Sequence, residues 1–446
     1  MGLLEMYRQK LVTAEQAAAV VKSGDWVEYG FALGAPVEFD RALAQRKEEL
    51  FDVKFRSCCS LWPIAVMEAD PDGEHFVWNS WHFSGRDRAL YDRGSAYYIP
   101  FKFNELPRLT RQEVEPIDVF VCQVCPMDKH GFFNFGPQVT NHMALVEKAR
   151  VVIVEVNHSL PRVRGGREEV VHISDVDMII EGNNPSLPEI PPAPITPVDE
   201  AVARLIVEEM ADGACLQLGI GGMPNAVGAM IAQSDLKDLG VHTEMLVDSF
   251  VDLYLAGKIT GVRKNIDRYK MVMTFAAGTK KLYDFIDDNP VIAAYPVDYT
   301  NHPATIAQLD NMVAINNAVE VDLFGQICSE SSGIHHISGT GGQLDFVQGA
   351  YDSRGGKAFI CLSSTYTTKN GAVKSRIRPI LTPGGIVTDP RTATHYLVTE
   401  YGKVNLKGKT TWQRAEAIIG IAHPNFRDEL IKEAEKMKIW RRTNKI

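Results

Sequence analysis

Several features that mark common protein classes are missing from this chain of 446 residues. No apolar run approaches the roughly 18 residues that a membrane-spanning helix needs. The first ten residues are charged early and lack the apolar core of a signal peptide, so we expect a cytoplasmic protein with no membrane partner. Acidic residues outnumber basic ones by 56 to 47, and the net charge of −9 argues against nucleic acid as a general partner.

Familiar catalytic and cofactor motifs are also absent. The glycine clusters do not form the Gly-x-Gly-x-x-Gly pattern of dinucleotide sites, and none ends in the Gly-Lys-Ser/Thr of a P-loop. The Gly-x-Ser-x-Gly elbow of many hydrolases does not occur. No cluster of His, Cys and Asp has the spacing of metal ligands, so we expect no metal site.

Cysteine is scarce, and its placement gives no disulfide framework. The seven cysteines are odd in number and scattered along the chain. Cys122 and Cys125 form a Cys-x-x-Cys pair, but they lie in residues 118–126, an apolar run that predicts a buried strand. Redox pairs of the thioredoxin type sit at helix N-termini, where the pKa of the thiol is lowered. We therefore interpret this pair as structural.

What the chain does have is an ordinary globular composition and one clear break. Apolar residues make up 45% and charged residues 23%, and the length allows two or three domains. Residues 181–200 are rich in proline, which removes backbone donors and forces extended conformations. We predict an N-terminal domain over residues 1–185, a linker over residues 186–198 and a C-terminal domain over residues 199–446.

The two halves look related. In each, an apolar strand leads into a glycine turn, a proline and a helix-like stretch, at residues 23–36 and 211–224. Later in each half an Asp-x-x-Gly segment follows another apolar strand, at residues 128–131 and 322–325. Strand-like runs alternate with helical patterns, which is typical of open sheets covered by helices. We predict two tandem, related, open α/β domains with the active site at their interface; chance similarity of short segments is the alternative.

Two glycine clusters are candidates for ligand binding. Residues 219–222, Gly-Ile-Gly-Gly, follow a strand and precede a helix, where glycine lets a ligand approach free backbone N–H groups. Residues 339–342, Gly-Thr-Gly-Gly, form the second cluster. Two such turns can converge as a pair of N–H donors, the form of an oxyanion hole, or they can be independent tight turns. The residues alone leave both interpretations open.

One carboxylate stands among apolar neighbours. Glu244 lies within residues 240–247, and burying a carboxylate is costly unless it is hydrogen-bonded or functional. An ordinary surface glutamate is the alternative. His242, two residues earlier, is interpreted as a structural or turn residue.

Together these segments resemble the acetyl-CoA hydrolase/transferase family of class I CoA transferases over essentially the whole chain. The resemblance is closest to members that exchange CoA between butyryl-CoA or 4-hydroxybutyryl-CoA and acetate. It implies a CoA transferase acting on short-chain acyl-CoA and a carboxylate, with no permanently bound cofactor, and we expect a homo-oligomer. The matching segments are residues 126–131, 240–246, 300–303, 318–325, 339–342 and 399–402.

The family pattern also implies roles for individual residues. Glu244 is implied as the covalent nucleophile, the backbone N–H groups of Ile220 and Gly342 as the oxyanion hole, and Asn301 as an assisting residue near the nucleophile. The implied contacts with CoA are Gly219, Ile220, Gly221, Gly222, Met223, Val319, Gly342 and Lys369. The chain departs from some relatives at Gln343 and Leu344, where they carry smaller residues, and this bears on the shape of the acyl pocket.

Three other functions stay open on this scaffold. One is a 4-hydroxybutyrate CoA-transferase, another is an acyl-CoA hydrolase that admits water to the glutamyl thioester, and the third is a non-catalytic ligand-binding subunit. The aromatic stretches at residues 78–83 and 101–103 either shape the acyl pocket or belong to an ordinary core.

Overall fold

The computed structural model describes residues 2–444, which fold into two compact units. The first unit comprises the described chain up to Pro191, Glu244–Leu246 and Val272–Thr300. The second comprises Pro192–Thr243, Val247–Met271 and the described chain from Asn301 onward. The structure therefore differs from a division into two contiguous domains, because two short segments of the C-terminal half, one of them carrying Glu244, pack into the first unit.

A parallel sheet of seven strands forms the centre of the first unit. From one edge to the other these strands are Ala96–Tyr98, Phe76–Ser80, Val53–Ser57, Trp26–Tyr29, Val119–Val124, Val151–Val156 and Met178–Glu181. Its central strands are mostly apolar and almost wholly buried, as expected of a parallel sheet covered on both faces. The strands of this part of the chain are β1 (Trp26–Tyr29), β2 (Val53–Ser57), β3 (Phe76–Ser80), β4 (Ala96–Tyr98), β5 (Val119–Val124), β6 (Phe132–Asn134), β7 (Val151–Val156), β8 (Val170–His172) and β9 (Met178–Glu181). The helices are α1 (Leu3–Lys10), α2 (Ala14–Ala18), α3 (Glu38–Ala44), α4 (Ala65–Ala69), α5 (Gly85–Asp92), α6 (Leu106–Gln112) and α7 (His142–Lys148).

The second half of the chain begins with α8 and supplies the elements of the second unit, together with the two segments that join the first. Its strands are β10 (Cys215–Leu218), β11 (Gly240–His242), β12 (Met245–Leu246), β13 (Met271–Met273), β14 (Phe275–Ala276), β15 (Ile292–Ala294), β16 (Met312–Asn317), β17 (Glu320–Asp322), β18 (Ile327–Cys328), β19 (Ser331–Ser332), β20 (His335–His336), β21 (Lys357–Cys361), β22 (Thr365–Thr367), β23 (Val373–Ser375), β24 (Ile377–Arg378), β25 (Tyr396–Thr399) and β26 (Gly402–Asn405). Its helices are α8 (Pro197–Val207), α9 (Gly222–Gln233), α10 (Asp248–Leu255), α11 (Lys280–Ile286), α12 (Val297–Thr300), α13 (Pro303–Ile306), α14 (Gln343–Asp352), α15 (Thr411–Gly420) and α16 (Pro424–Lys436).

The second unit is built around a sheet in which β11-β10-β16-β21-β25 are parallel neighbours and β26 is added antiparallel. Its core consists of buried aliphatic and aromatic side chains from this sheet and from α14, α15 and α16. The prediction of an α/β protein with open sheets is confirmed.

The two units share a strand order, which supports the predicted duplication. The parallel series β2-β1-β5-β7-β9 of the first unit corresponds, strand by strand, to β11-β10-β16-β21-β25 of the second. In the first unit, β1 has β2 on one side and β5, β7 and β9 in succession on the other. In the second unit, β10 has β11 on one side and β16, β21 and β25 in succession on the other.

The two Asp-x-x-Gly segments form the same turn. Asp128 Oδ1 accepts hydrogen bonds from the backbone N–H groups two and four residues later, and Asp322 Oδ1 does the same. The glycine three residues after each aspartate has a positive φ, +89° at Gly131 and +86° at Gly325. Only glycine adopts such a conformation without strain. Two identical turns after equivalent strands are further support for a common origin of the halves.

The proline-rich stretch predicted as a linker contains no regular structure before α8. Residues 182–196 form neither helix nor strand. Helix α8 then begins with Pro197 at its first turn, and the side chains of Thr196 and Asp199 each accept from the other's backbone N–H. Among the described residues, no helix combines the length and the apolar character needed to cross a membrane.

The Cys-x-x-Cys pair lies at the end of the buried strand β5. Cys122 is fully buried and Cys125 nearly so. Burial raises the pKa of the Cys122 thiol, and it raises the pKa of Cys125 to about 12. Both thiols are therefore protonated at neutral pH, which supports a structural role because the thiolate is the reactive form.

We expect iodoacetamide at pH 8 to alkylate Cys59 first and to leave Cys122 and Cys125 unmodified in the native protein. Cys59 is the one half-buried cysteine, and the other six are buried. Peptide mapping after alkylation, with and without guanidinium, measures this order. Rapid native labelling at Cys122, or a disulfide between the pair, would contradict the structural role.

Candidate active site

Glu244 follows strand β11 by two residues and immediately precedes β12. Its backbone carbonyl accepts hydrogen bonds from the N–H groups of Thr274 at 3.1 Å and Phe275 at 3.2 Å. The next two residues, Met245 and Leu246, pair in parallel with β14. These bonds hold the backbone of Glu244, and the residue as a whole is half-buried.

An aromatic cluster of the first unit surrounds the residue that follows Glu244. Phe31 lies 4.8 Å from Phe275, centroid to centroid, and Met245 packs against the same cluster. Trp81 and Phe103 are buried there too. Trp81 and Phe103 thus meet beside the Glu244 segment, whereas Trp78 belongs to the separate core around β1, β2 and β3. The sequence had left the choice between acyl pocket and core open for these stretches.

Cys58 is buried in the same cluster as Phe31 and Phe275. Burial raises the pKa of its thiol well above the usual range, and the hydrogen bond with Cys59 and the charges of Asp87 and Glu244 add to the effect. A thiol held neutral in this way is a weak nucleophile, because the thiolate is the reactive form.

The first glycine turn, Gly219–Gly222, connects β10 to α9 in the second unit. The Gly219 N–H donates to the carbonyl of Ile315 on β16 at 3.0 Å. Ile220 is 59% exposed, and its N–H has no hydrogen-bond acceptor within residues 2–444. This amide therefore remains available to an external oxygen.

Two of these glycines are required by geometry. Gly221 has a φ of +122°, which L-residues with a side chain rarely adopt. A Cβ on Gly222 would lie 2.7 Å from the Pro194 carbonyl and 2.8 Å from Asp199 Oδ2. The start of α9 thus packs directly against the chain that enters α8.

The second glycine turn ends at Gly342, which caps α14. Gly341 has a φ of +54°, and the Gly342 carbonyl accepts from Phe346 at 3.0 Å to start the helix. The Gly342 N–H finds no acceptor in the part of the chain that the structure describes. Both backbone N–H groups assigned by family resemblance therefore lie at helix N-termini with their hydrogen-bonding capacity unused.

Gln343, next to this turn, is anchored to a buried acid. Its Nε2 donates to Asp389 Oδ2 at 2.7 Å and to Ser329 Oγ at 2.9 Å. Asp389 is fully buried, and its Oδ1 has no hydrogen-bond partner among the described residues. Burial raises the pKa of Asp389 to about 7; the Gln343 hydrogen bond opposes that shift, and the charge of Glu330 adds to it.

We expect Asp389→Asn to reduce the pH dependence of stability. A raised pKa means that the folded state binds the proton more tightly, so the stability is fully present below about pH 4 and is lost as pH rises through 7. Between pH 5 and pH 8 the wild type should lose about 2–3 kcal/mol relative to Asp389→Asn.

Thermal unfolding of both proteins from pH 5 to pH 8 at matched ionic strength measures this difference. Asp40, whose pKa burial also raises to about 7, is unchanged in the variant, so its contribution cancels in the comparison. A difference between the two proteins that stays constant across this range would show that Asp389 does not titrate there.

The remaining residues implied by resemblance are placed as follows. Asn301 is fully buried just after α12, and Met223 is buried in the first turn of α9. The Val319 N–H donates to Cys328 at 2.8 Å, so its amide is already used. Lys369 is exposed in the hairpin between β22 and β23.

Sequence reasoning missed three polar residues beside the glycine turns, Asn317, Ser329 and Asp389. Asn317 ends β16, the strand next to β10, and polar residues at the carboxyl end of a parallel strand are a usual signal for a site. Ser329 and Asp389 carry no such signal, because they come together only through the bridge between Ile327 and Asp389. Among the described residues, no group of three or more His, Cys, Asp or Glu side chains is arranged to hold a metal ion.

Comparisons with known proteins agree with this picture. Residues 3–191 match the acetyl-CoA hydrolase/transferase N-terminal domain, and residues 278–434 match the C-terminal domain of the same family. A butyryl-CoA:acetate CoA-transferase of Anaerostipes caccae is 58% identical over all of both chains. A probable butyrate:acetyl-CoA coenzyme A-transferase of Syntrophomonas wolfei is 58% identical over 100% of this chain and 99% of its own. The crystal structure of RipA from Yersinia pestis superposes with a TM-score of 0.89 at 39% identity, covering 98% of this chain and 100% of that one.

Proposed function

This chain belongs to the acetyl-CoA hydrolase/transferase family, and we propose that it transfers CoA from butyryl-CoA to acetate through a covalent intermediate on Glu244. The 58% identity to a butyryl-CoA:acetate CoA-transferase along the whole chain supports the choice of acids. The single structural observation that carries the mechanism is the pair of unused backbone N–H groups, at Ile220 and Gly342, in two glycine turns of one unit.

The proposed reaction balances without a further reactant. The Glu244 carboxylate attacks the thioester carbonyl of butyryl-CoA, and CoA leaves as its thiolate while a mixed anhydride forms. The thiolate then attacks the glutamyl carbonyl, which releases butyrate and leaves CoA bound to Glu244 as a thioester. Acetate attacks that thioester, and the same steps in reverse give acetyl-CoA and regenerate the carboxylate.

Each addition step places a negative charge on a carbonyl oxygen. Two preorganised backbone N–H groups stabilise such an oxyanion, and removing one of them typically costs about 3–4 kcal/mol of barrier. The sheet topology supports this arrangement: β10 and β11 are parallel neighbours with Leu216 opposite Val241. The first glycine turn directly follows β10 at the carboxyl edge of this sheet, the usual location of sites in α/β proteins.

The surroundings of Glu244 favour a transferase over a hydrolase. Phe31, Trp81, Phe103 and Phe275 form an apolar cluster to which Met245, the neighbour of Glu244, belongs. Apolar side chains suit a short aliphatic acyl group and exclude the water that would hydrolyse the anhydride or the thioester. We propose that these side chains line the acyl pocket, that the reaction runs in the cytoplasm, and that the enzyme is a homo-oligomer.

Intact-mass measurement after incubation with butyryl-CoA alone tests the proposal. A CoA adduct that maps to Glu244, and that acetate discharges as acetyl-CoA, is the expected result. Release of free CoA without acetate would identify a hydrolase instead. If 4-hydroxybutyryl-CoA gave the adduct faster than butyryl-CoA, the choice of donor would be overturned. If neither acyl-CoA gave an adduct, a binding role would become the better interpretation.

A further inference from the structure

A chain of hydrogen bonds joins the two glycine turns within the second unit. Asn317 Nδ2 donates to the Ile220 carbonyl at 3.3 Å, and the Asn317 carbonyl accepts from Ser329 Oγ at 3.1 Å. Ser329 Oγ in turn accepts from Gln343 Nε2 at 2.9 Å. Gln343 directly follows Gly342. The chain therefore begins at one candidate oxyanion donor and ends beside the other.

Each member of this chain is held independently at its own position. Asn317 ends β16, which pairs with β10 so that Leu218 faces Ile315 just before the first glycine turn. The Ser329 N–H donates to Thr388 Oγ1 at 2.9 Å. Gln343 uses its second amide hydrogen on the buried Asp389. The hydrogen-bond chain thus connects residues that other contacts already hold in place, and it does more than join two loops to each other.

We propose that Asn317, Ser329 and Gln343 are positioning residues that set the separation of the Ile220 and Gly342 N–H groups. The inference rests on the proposed function, because it assigns these two amides to one oxyanion. None of the three side chains is required to touch the substrate. Their effect is transmitted through the peptide of Ile220 and through the first residue of α14.

The physical reason is the narrow range over which an oxyanion hole works. A donor is effective when it lies about 2.7–3.1 Å from the oxyanion, and a displacement of about 1 Å can cost 100-fold in rate. The first glycine turn depends on such a hydrogen bond to keep its conformation, because Ile220 is 59% exposed and is followed by two glycines. Asn317 fixes the carbonyl of the same residue whose N–H is the proposed donor.

The test compares Ser329→Ala, Ser329→Thr and Asn317→Ala by kinetics and by the rate of CoA-adduct formation at saturating butyryl-CoA. We expect Ser329→Ala and Asn317→Ala to lower kcat and the adduct rate about 10-fold each, with KM for butyryl-CoA changed less than about 2-fold. Ser329→Thr retains the hydroxyl and should restore most of the rate. The double variant should lose no more than the worse single variant, because both changes break one chain.

Asn265→Ala is the matched control. Asn265 is an exposed asparagine of the same unit whose amide bridges to Asp310 at 3.1 Å, away from both turns. It should keep wild-type kinetics. Thermal midpoints of all variants separate a loss of positioning from a loss of folding, since a purely structural role would lower the midpoint without changing kcat at 25 °C.

The outcomes separate this inference from the proposed function. Wild-type protein that forms no adduct would overturn the proposed function itself. A wild type that forms the adduct, with Ser329→Ala and Asn317→Ala both within 2-fold of it, would overturn the positioning inference alone. Losses that multiply in the double variant would also overturn the positioning inference, because the two side chains would then act separately. If one single variant does not fold, the other still decides, since each breaks the chain at a different link.

Discussion

Glu244→Gln is expected to abolish the covalent CoA adduct and to lower kcat at least about 1,000-fold. The amide has nearly the same shape as the carboxylate but is a far weaker nucleophile, so the substitution removes the chemistry and leaves the packing. The backbone hydrogen bonds from Thr274 and Phe275 to residue 244 do not depend on its side chain. Unchanged thermal stability should therefore accompany the loss of activity.

Glu68→Gln provides the control for this substitution. Glu68 is an exposed glutamate on α4 of the same unit, so it tests the loss of one carboxylate without touching the candidate site. Intact mass and peptide mapping after incubation with butyryl-CoA are measured for both variants. An adduct of undiminished yield on the Glu244→Gln protein would mean that another residue is the nucleophile.

The second large effect is expected for Gly222→Ala, which should lower kcat about 100-fold. The added methyl group would meet the Pro194 carbonyl at 2.7 Å and Asp199 Oδ2 at 2.8 Å. Neither atom can move away easily. The Pro194 oxygen is part of the backbone, and Asp199 Oδ2 accepts hydrogen bonds from the N–H and the hydroxyl of Thr196 at 2.9 and 2.7 Å. The start of α9 must then move, and the Ile220 amide moves with it.

Gly420→Ala is the matched glycine substitution. Gly420 is the last residue of α15, and a Cβ there would meet nothing within 4 Å. Alanine favours helix over glycine, so this variant should be as active as the wild type and at least as stable. If Gly222→Ala retained full kcat, the position of the first glycine turn would not matter for the reaction.

The sequence predicted the parts of this molecule that depend on local patterns. The apolar run at residues 118–126 contains the buried strand Val119–Val124, and the repeated Asp-x-x-Gly segments form identical turns. Such features follow from hydrophobic periodicity and from the conformational freedom of glycine, which neighbouring residues alone determine. The roles of Glu244, Ile220 and Gly342 came from family resemblance and remain predictions.

The parts that could not be predicted depend on contacts between distant residues. The Asn317, Ser329 and Gln343 side chains are ordinary polar residues in sequence, and only the folded sheet brings them into one hydrogen-bonded chain. The assignment of Glu244–Leu246 and Val272–Thr300 to the first unit has the same origin, because pairing of β12 with β14 has no local signature. A proline-rich stretch shows where the chain is extended. It does not show which unit the segments that follow it will pack into.

This exchange of segments has a consequence for any attempt to divide the enzyme. A gene cut at Pro191 would encode two polypeptides, and the C-terminal one would carry β14, whose Phe275 packs on Phe31 of the N-terminal one. The N-terminal fragment would lack part of its own hydrophobic interior, and the C-terminal fragment would expose the missing piece to water. The fragments are thus obligate partners for complementation and would need to be co-expressed. The C-terminal fragment would supply Glu244, the proposed nucleophile, while the N-terminal fragment would supply most of the side chains around it.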